Sequence, residues 1–385
     1  MHSKYKILLV FIICTLFGIS NATAQEMMEG SVDKSNEKEL NIKELILEHL
    51  ADTYEWHIAT INETSVTLPL PIILRSKADG WTVFLSSKLQ NSDSQYKQFY
   101  IATEGKYTGK IVEQNVAGEE VRPLDISLTK NAASLLLSSF ILIAIIMSIS
   151  RVYKKDETMD AEKGFTGAME FIIVNITDEV IKPSIGRKYK RYAPFVLSLF
   201  FFILFNNLLG LVPIFPGGAN VTGNISVTLV LAVFTFLIVN FTGSKAYYKD
   251  LFWPDVPIWL KMPFPLMQII ELVGTITKPF ALMIRLFANI TAGHSIVLGL
   301  TSVVFVTVSL GTAINTGMTA ISVLFNIFIF FLEILVAFIQ AYIFTVLTSV
   351  FIGMAHDDSA IIQEERKKKK EKENAKLNLN IQSNN

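Results

Sequence analysis

The sequence predicts an all-α polytopic membrane protein with about five transmembrane helices, including a long tilted C-terminal helix pair, and a small α+β N-terminal domain outside the membrane. Only 18% of the 385 residues are charged and 51% are hydrophobic, whereas soluble proteins carry roughly 25% charged residues. No Asp, Glu, Lys or Arg occurs between Tyr192 and Ser244, and no Lys or Arg between Arg285 and Arg366. Each stretch exceeds the roughly 20 apolar residues that cross a bilayer as a helix.

The charge balance excludes two classes of protein. The 34 basic and 34 acidic side chains sum to a net charge of zero. A disordered chain combines low hydrophobicity with high net charge, and a protein that binds nucleic acid through a general basic field carries a basic excess. We therefore expect an ordered chain with no nucleic-acid partner.

The N-terminal end has the pattern of a secretory signal peptide. Lys4 and Lys6 precede an apolar run over residues 7–19, and residues 22–24 (Ala-Thr-Ala) offer a cleavage site between small residues. A first membrane helix is the alternative, for which this run is short. Cleavage would remove Cys14, the only cysteine, so we expect no disulfide or thiol chemistry in the mature protein.

Residues 25–130 are polar enough to form a domain in water, with 17 acidic and 11 basic side chains. Apolar residues at helical spacing predict a helix over residues 41–54. His49 and His57 are too far apart to indicate a metal site, and we expect no metal and no cofactor. Runs rich in β-branched and aromatic residues predict strands of a small sheet over residues 65–74, 81–85, 98–103 and 110–116.

The first spanning helix is predicted over residues 131–150. Residues 151–191 after it contain nine Lys or Arg and seven Asp or Glu, so the positive-inside rule places them in the cytoplasm and the N-terminal domain in the periplasm. An apolar stripe within this loop predicts an amphipathic helix on the inner membrane surface or against a partner. The stripe consists of Phe165, Met169, Ile172, Ile173 and Ile176.

A hairpin of two spanning helices follows. It runs out over residues 194–213, turns at IFPGGANVTG and returns over residues 224–241. Three lysines and two tryptophans then mark a second cytoplasmic loop with anchors at the membrane interface. They are Lys245, Lys249, Lys261, Trp253 and Trp259.

The second hairpin is longer than a bilayer requires. It runs out over residues 265–313, turns at residues 315–317 and returns over residues 320–354, so its helices are tilted or broken. The charged tail, QEERKKKKEKENAK, is a solvated cytoplasmic end. The predicted domains are a signal peptide (1–24), a periplasmic extension (25–130), an inner-membrane domain (131–356) and a cytoplasmic tail (357–385).

Ionisable side chains inside membrane spans are costly and mark functional sites. Glu271, Lys278 and Arg285 follow one another at seven-residue spacing and lie along one helical stripe, which Asn289 extends. Glu271 and Lys278 have an alternative reading as snorkelling or paired charges near the cytoplasmic surface. A guanidinium stays protonated, so Arg285 acts as a fixed positive charge and not as a proton relay.

Other polar residues point to a path for protons or ions. His294 and Glu333 are titratable groups on neighbouring helices, and Gln340 shares a helix face with Glu333. A structural ion pair between Arg285 and Glu333 is the competing interpretation. Asn206 and Asn207 are expected either to join helices by hydrogen bonds or to line a wet passage.

The stretch RLFANITAGH, preceded by ELVGTITKP and followed on the next helix by IQAYIFTVLTSVFIGMA, resembles the a subunit of bacterial F-type ATP synthases. The resemblance spans roughly residues 130–356 and does not cover residues 25–130 well. It implies a proton-channel component without catalytic activity of its own, which couples proton flow to rotation and ATP synthesis. The implied partners are the c-subunit ring, the b subunits of the peripheral stalk, the rest of the complex, protons and the lipid bilayer.

The resemblance also implies roles for single residues. Arg285 corresponds to the stator charge that faces the c-ring carboxylate. Positions on the proton path are Asn289, His294, Glu333, Gln340, Glu271 and Lys278, and Asn207 and Asn224 are candidates for lining a half-channel.

Two positions depart from the family pattern. Better-known members have an acid where His294 stands and a histidine where Glu333 stands, so the two residue types are exchanged here, which predicts that their side chains meet. Gly210 replaces an Asp that some members carry. A secondary ion-coupled transporter is the alternative function, although no internal repeat supports it; a membrane-embedded hydrolase lacks a nucleophile or metal cluster.

Overall fold

The computed structural model describes residues 51–61, 64–77, 80–89, 96–102, 105–114, 120–155, 164–212, 215, 217–253 and 266–356. The predicted signal peptide, most of the predicted helix at 41–54, Trp259, Lys261 and the charged tail lie outside these residues. The chain forms two compact units. The first contains the described residues within 1–150, 204–224 and 288–338, and the second contains those within 151–203, 225–287 and 339–385.

The N-terminal part of the first unit consists of short antiparallel strands, as predicted. The strands are β1 (Glu55–Ile61), β2 (Thr64–Pro69), β3 (Pro71–Ser76), β4 (Gly80–Leu85), β5 (Phe99–Ile101), β6 (Ile111–Gln114), β7 (Glu120–Val121) and β8 (Leu124–Asp125). They form three sheets with the orders β1-β2, β4-β3-β8 and β5-β6-β7.

The run predicted over residues 65–74 is two strands and not one. The β structure is interrupted at Leu70, which lies between Pro69 and Pro71. Proline has no N–H to donate, so it interrupts a continuous ladder of backbone hydrogen bonds. Ser86 stabilises the break, since its N–H donates to the Leu70 carbonyl (3.0 Å) and its hydroxyl accepts from the Leu70 N–H (3.1 Å).

These strands enclose a small apolar core. The Tyr54 hydroxyl at its edge donates to the Asp125 carboxylate at 2.5 Å, and burial, together with this carboxylate, raises the pKa of Tyr54. The buried side chains of the core are Tyr54, Ile72, Leu74, Phe84, Leu89, Phe99 and Ile111.

The rest of the described chain is helical. The helices are α1 (Lys130–Lys155), α2 (Phe165–Ile176), α3 (Tyr189–Leu211), α4 (Ile225–Phe241), α5 (Lys245–Phe252), α6 (Leu266–Val306) and α7 (Thr312–Ala355). Four helical segments of the described chain are long and apolar enough to cross a membrane, namely residues 130–154, 165–211, 267–310 and 312–355. The mostly helical membrane class is therefore confirmed. With 17 residues, α4 is shorter, and the count of five spans stays a prediction.

Two features of the loops differ from the sequence prediction. The amphipathic helix is present as α2, but π-helical and short helical turns join it to α3, so helix continues through residues 177–188. The turn of the second hairpin lies at Gly311, not at residues 315–317. Gly311 has φ 101°, a conformation that glycine adopts readily, whereas Asn315 lies inside α7 and accepts a hydrogen bond from the Thr307 hydroxyl at 2.9 Å.

The two last helices are continuous. With 41 and 44 residues, α6 and α7 are each roughly 60 Å long at 1.5 Å per residue, about twice the hydrocarbon thickness. The alternative of broken helices is wrong, and strong tilting stays the expectation. Pro279 lies inside α6 without ending it.

A close backbone contact in the second unit leads to a stability prediction. A Cβ at Gly353 of α7 would overlap the carbonyl oxygen of Ser184, whereas a Cβ at Gly317 of the same helix would meet no atom within 4 Å. We expect Gly353→Ala to lower the thermal unfolding midpoint of the detergent-solubilised chain, since overpacking costs about 1–3 kcal/mol. Gly317→Ala is the matched control and should not lower it; equal midpoints for the two variants would contradict the contact.

Candidate functional site

His294 lies in the first unit, where α6 packs against the end of α3. Its imidazole is half-buried, and its Nε2 lies 3.8 Å from the place where Gly210 would carry a Cβ. The same position is 3.5 Å from the carbonyl oxygen of Ala219. A Cβ at Gly210 would therefore make an ordinary van der Waals contact with the imidazole.

Glu333 approaches α6 from α7. Its Oε1 lies 2.8 Å from the place where Gly293 would carry a Cβ, so only glycine lets the carboxyl group come this close to the helix. Oε1 is buried and has no hydrogen-bond partner. Leaving such an atom unpaired costs about 1–3 kcal/mol. A group held at this cost is a candidate for binding water or exchanging a proton.

His294 and Glu333 are joined by no hydrogen bond or ion pair in the described residues. Gly293 faces Glu333 and the next residue, His294, faces Gly210, because successive residues on a helix project about 100° apart. Gly293 and His294 are thus adjacent on α6 and face different helices, and the meeting of His294 with Glu333 stays a prediction.

Asn206 and Asn207 join helices by hydrogen bonds. The Ser138 hydroxyl of α1 donates to Asn206 Oδ1 at 2.8 Å, and Asn207 Nδ2 donates to the Ala337 carbonyl of α7 at 3.3 Å. Both asparagines are 2% exposed. The Oδ1 atom of Asn207 is nevertheless buried without a partner, so this residue still has an acceptor to offer. Asn224 is half-buried and directly precedes α4.

Arg285 lies on an exposed stripe of α6 made of small residues. It is exposed itself and forms no ion pair with a described residue of its unit. The neighbours on its stripe include Asn289 and three exposed alanines, Ala281, Ala288 and Ala292. Small side chains let the backbone of another helix approach closely in a membrane.

The remaining predicted residues differ in exposure. Gln340 is 1% exposed, so it is not at a surface. Glu271 is half-buried and Lys278 is exposed, with its Nζ 5.8 Å from the centre of the Phe351 ring. No ion pair joins Glu271 to Lys278 in the part of the chain that the structure describes.

A cavity in the second unit was not predicted from the sequence. It lies between α4, α5, α6 and α7, and the Tyr247 hydroxyl at its wall donates to Asn240 Oδ1 at 3.1 Å. Burial raises the pKa of Tyr247, with smaller contributions from Tyr248 and the charge of Glu271. Asn240, a polar residue in an apolar run, was the available signal. The polar lining residues are Thr235, Asn240, Tyr247, Thr275 and Lys278.

His356 was also missed. Its Nδ1 bonds to the Ile352 carbonyl at 2.9 Å and its Nε2 to the Tyr192 hydroxyl at 2.8 Å. A carbonyl oxygen only accepts, so Nδ1 carries a proton. The bond fastens the end of α7 to α3. Among the described residues, no group of three or more His, Cys, Asp or Glu is placed to hold a metal ion.

Comparisons with known proteins match two parts of the chain. Residues 135–353 match the family "ATP synthase A chain", and residues 45–131 match a "Domain of unknown function (DUF8433)". An ATP synthase subunit a 2 of Chlorobaculum tepidum is 43% identical over 251 residues, 62% of this chain and 67% of the relative. Subunit a of Chloroherpeton thalassium is 44% identical (62% and 70% covered), and that of Myxococcus xanthus is 39% identical (61% and 77%).

Proposed function

Because the chain belongs to the ATP synthase A chain family, we propose that Arg285 is the stator charge that faces the carboxylates of the c-subunit ring. The chain is the proton-translocating a subunit of the F-type ATP synthase, an integral membrane protein that is part of this complex. It contributes a proton channel, and ATP is made elsewhere in the complex.

The observation that carries the role of Arg285 is its exposed position on the small-residue stripe of α6. A c-subunit helix that packs against Ala281 and Ala288 would bring its carboxylate beside the guanidinium. That carboxylate would then lose its proton, since a neighbouring positive charge favours the ionised form. Protons cannot pass along Arg285 itself because its guanidinium stays protonated. The residue thus keeps two half-channels apart.

One half-channel is proposed in the first unit, around Glu333, His294 and Asn207. Two acceptor atoms there, Glu333 Oε1 and Asn207 Oδ1, are buried without a partner. Water molecules or a moving proton would satisfy them. Asn289 and Asn224 continue this path at half-buried or exposed positions. A proton that leaves it neutralises a c-subunit carboxylate, which can then rotate into lipid.

The other half-channel is proposed in the second unit, from Arg285 past Lys278 to Glu271. The cavity beside Tyr247 supports this assignment, because Lys278 lines it. Gln340 is buried, so its proposed part in the path is to order neighbouring groups. We place the N-terminal domain in the periplasm and the C-terminus in the cytoplasm, from the distribution of Lys and Arg.

Co-purification tests whether the chain binds the proposed partner proteins. An affinity-tagged chain extracted in mild detergent is expected to bring down the c subunits and the b subunits of the peripheral stalk. A cysteine at Ala281 or Ala288 should form a cross-link to a cysteine in the outer helix of the c subunit, whereas one at Leu286, which is fully buried, should not. Recovery of the chain alone would favour the transporter alternative.

A substitution at Gly293 tests the half-channel proposed in the first unit. We expect Gly293→Ala to reduce ATP-driven proton pumping severalfold, because the new Cβ would push the Glu333 carboxyl from its place. Gly299→Ala on the same helix is the matched control, since a Cβ there meets no atom within 4 Å. Acidification of inverted membrane vesicles measures the effect at equal complex content. Equal pumping by the two variants would argue against this position of Glu333.

A further inference from the structure

One face of the sheet β4-β3-β8 is apolar and open to the surroundings. Along β4, Trp81, Val83 and Leu85 point to this face and are 57%, 66% and 48% exposed, while Thr82 and Phe84 between them are buried. Leu124 of β8 and Ile126 directly after it are 54% and 57% exposed. The register sets Val83 opposite Ile73 and Leu124 opposite Arg75. The face consists of Pro71, Ile73, Arg75, Trp81, Val83, Leu85, Leu124 and Ile126.

The one charge on this face is positive. The Arg75 guanidinium lies 5.5 Å from the centre of the Trp81 ring. Asp125 belongs to the same sheet, but its carboxylate accepts from Tyr54 on the opposite, core side. The domain around the face is acidic, with 17 acidic against 11 basic residues over 25–130. An apolar patch with Trp and Arg in an acidic domain matches the composition found at membrane interfaces.

The face is held close to the start of the membrane span. The Leu128 N–H donates to the Pro71 carbonyl at 3.0 Å, and the Lys130 N–H donates to the Thr53 carbonyl at 2.8 Å. Asp52 Oδ1 accepts from the Asn131 N–H at 3.0 Å and so caps the first turn of α1. Ile126 is only four residues before α1, a reach of roughly 13 Å. The sheet is thus tied to α1 by backbone hydrogen bonds.

We propose that this sheet face lies on the lipid bilayer, within the headgroup region around the N-terminal end of α1. The apolar side chains enter the upper acyl region, Trp81 lies at the interface, and Arg75 binds lipid phosphate. The bilayer is the favoured occupant because the face is continuous with the segment leading to α1, itself a membrane-spanning helix. The sheet face is therefore close to the membrane regardless of which other subunits the complex contains. The N-terminal domain acts as a membrane-surface anchor for the a subunit.

Fluorescence quenching in the assembled complex tests this proposal. Val83→Cys or Leu124→Cys, with Cys14→Ser in the background, is labelled with an environment-sensitive dye. The complex is placed in nanodiscs of phosphatidylethanolamine and phosphatidylglycerol that contain a lipid with a nitroxide near the top of its acyl chain. Lys106→Cys, at an exposed position in the same domain, is the matched control. Iodide serves as the quencher from water.

We expect the nitroxide lipid to quench the labels at Val83 and Leu124 severalfold more than the label at Lys106, and iodide to show the reverse order. Labels on the face that iodide quenches as strongly as Lys106 would show an open, solvated surface and overturn the proposal. Labels that neither quencher reaches would show that another protein segment covers the face, which also overturns it. Each substitution replaces an exposed side chain, and ATP-driven proton pumping by the complex verifies assembly.

Discussion

Replacement of Arg285 by alanine is expected to abolish proton-driven ATP synthesis. In the proposed role, the exposed guanidinium is the fixed charge that makes a c-subunit carboxylate release its proton and stops a proton from crossing between the half-channels. Without it, a protonated carboxylate can pass the stator with no release step. Protons then leak, or the ring stalls. Moving a charge through 100 mV supplies ~2.3 kcal/mol, and none of this free energy would reach ATP synthesis.

The measurement uses inverted membrane vesicles energised by respiration, at complex contents matched by immunoblot. Lys278→Ala is the comparison variant, because Lys278 is also an exposed cation on α6, seven residues earlier, and is proposed to lie on the path without acting as the stator charge. We expect it to retain much more synthesis than Arg285→Ala. Arg285→Lys preserves a charge but loses the planar guanidinium, so intermediate or low activity is expected. Normal coupled synthesis in Arg285→Ala would disprove the stator role.

Much of the fold follows from the sequence because membrane spans obey simple rules. Charge-poor stretches located α3, α4, α6 and α7, and runs rich in β-branched and aromatic residues located most of the strands, although β1 lies outside those runs. The turn at Gly311 was missed because Asn315-Thr316-Gly317 has stronger turn propensity, whereas the backbone of Gly311 adopts the positive φ. Turn propensity describes local preferences only and does not include contacts such as the hydrogen bond from the Thr307 hydroxyl to Asn315 Oδ1.

The site was predicted less completely than the fold. Charged residues in apolar runs made Arg285 and Glu333 candidates, since the cost of a charge in a membrane can be recognised from the sequence alone. The Tyr247–Asn240 bond and the His356–Tyr192 bond depend on which helices are neighbours. The spacing of residues along the sequence does not show which helices are neighbours. The same limit explains why a direct contact between His294 and Glu333 was expected, although each side chain faces a different glycine.

Exchange of the two residues, His294→Glu together with Glu333→His, is the second change with a large expected effect. Either single change leaves two groups of one kind, two carboxyls or two imidazoles, in one half-channel. The double variant restores one acid and one base. We expect each single variant to lose most of its ATP-driven proton pumping and the double variant to retain far more than either one. The effects of coupled residues do not add, so the double-mutant cycle measures their coupling.

The packing around the two positions makes this exchange feasible. The His294 imidazole lies next to Gly210 and the Glu333 carboxyl lies next to Gly293, so neither exchanged side chain would meet a Cβ at these two facing positions. Because no bond joins the two groups in the described residues, coupling between them would pass through water or a shared proton. This coupling is measured as proton pumping by vesicles that contain equal amounts of the complex. Equal damage in the single and double variants would show that the two residues act independently, and the half-channel would then need a different relay to connect Glu333 with the c subunit.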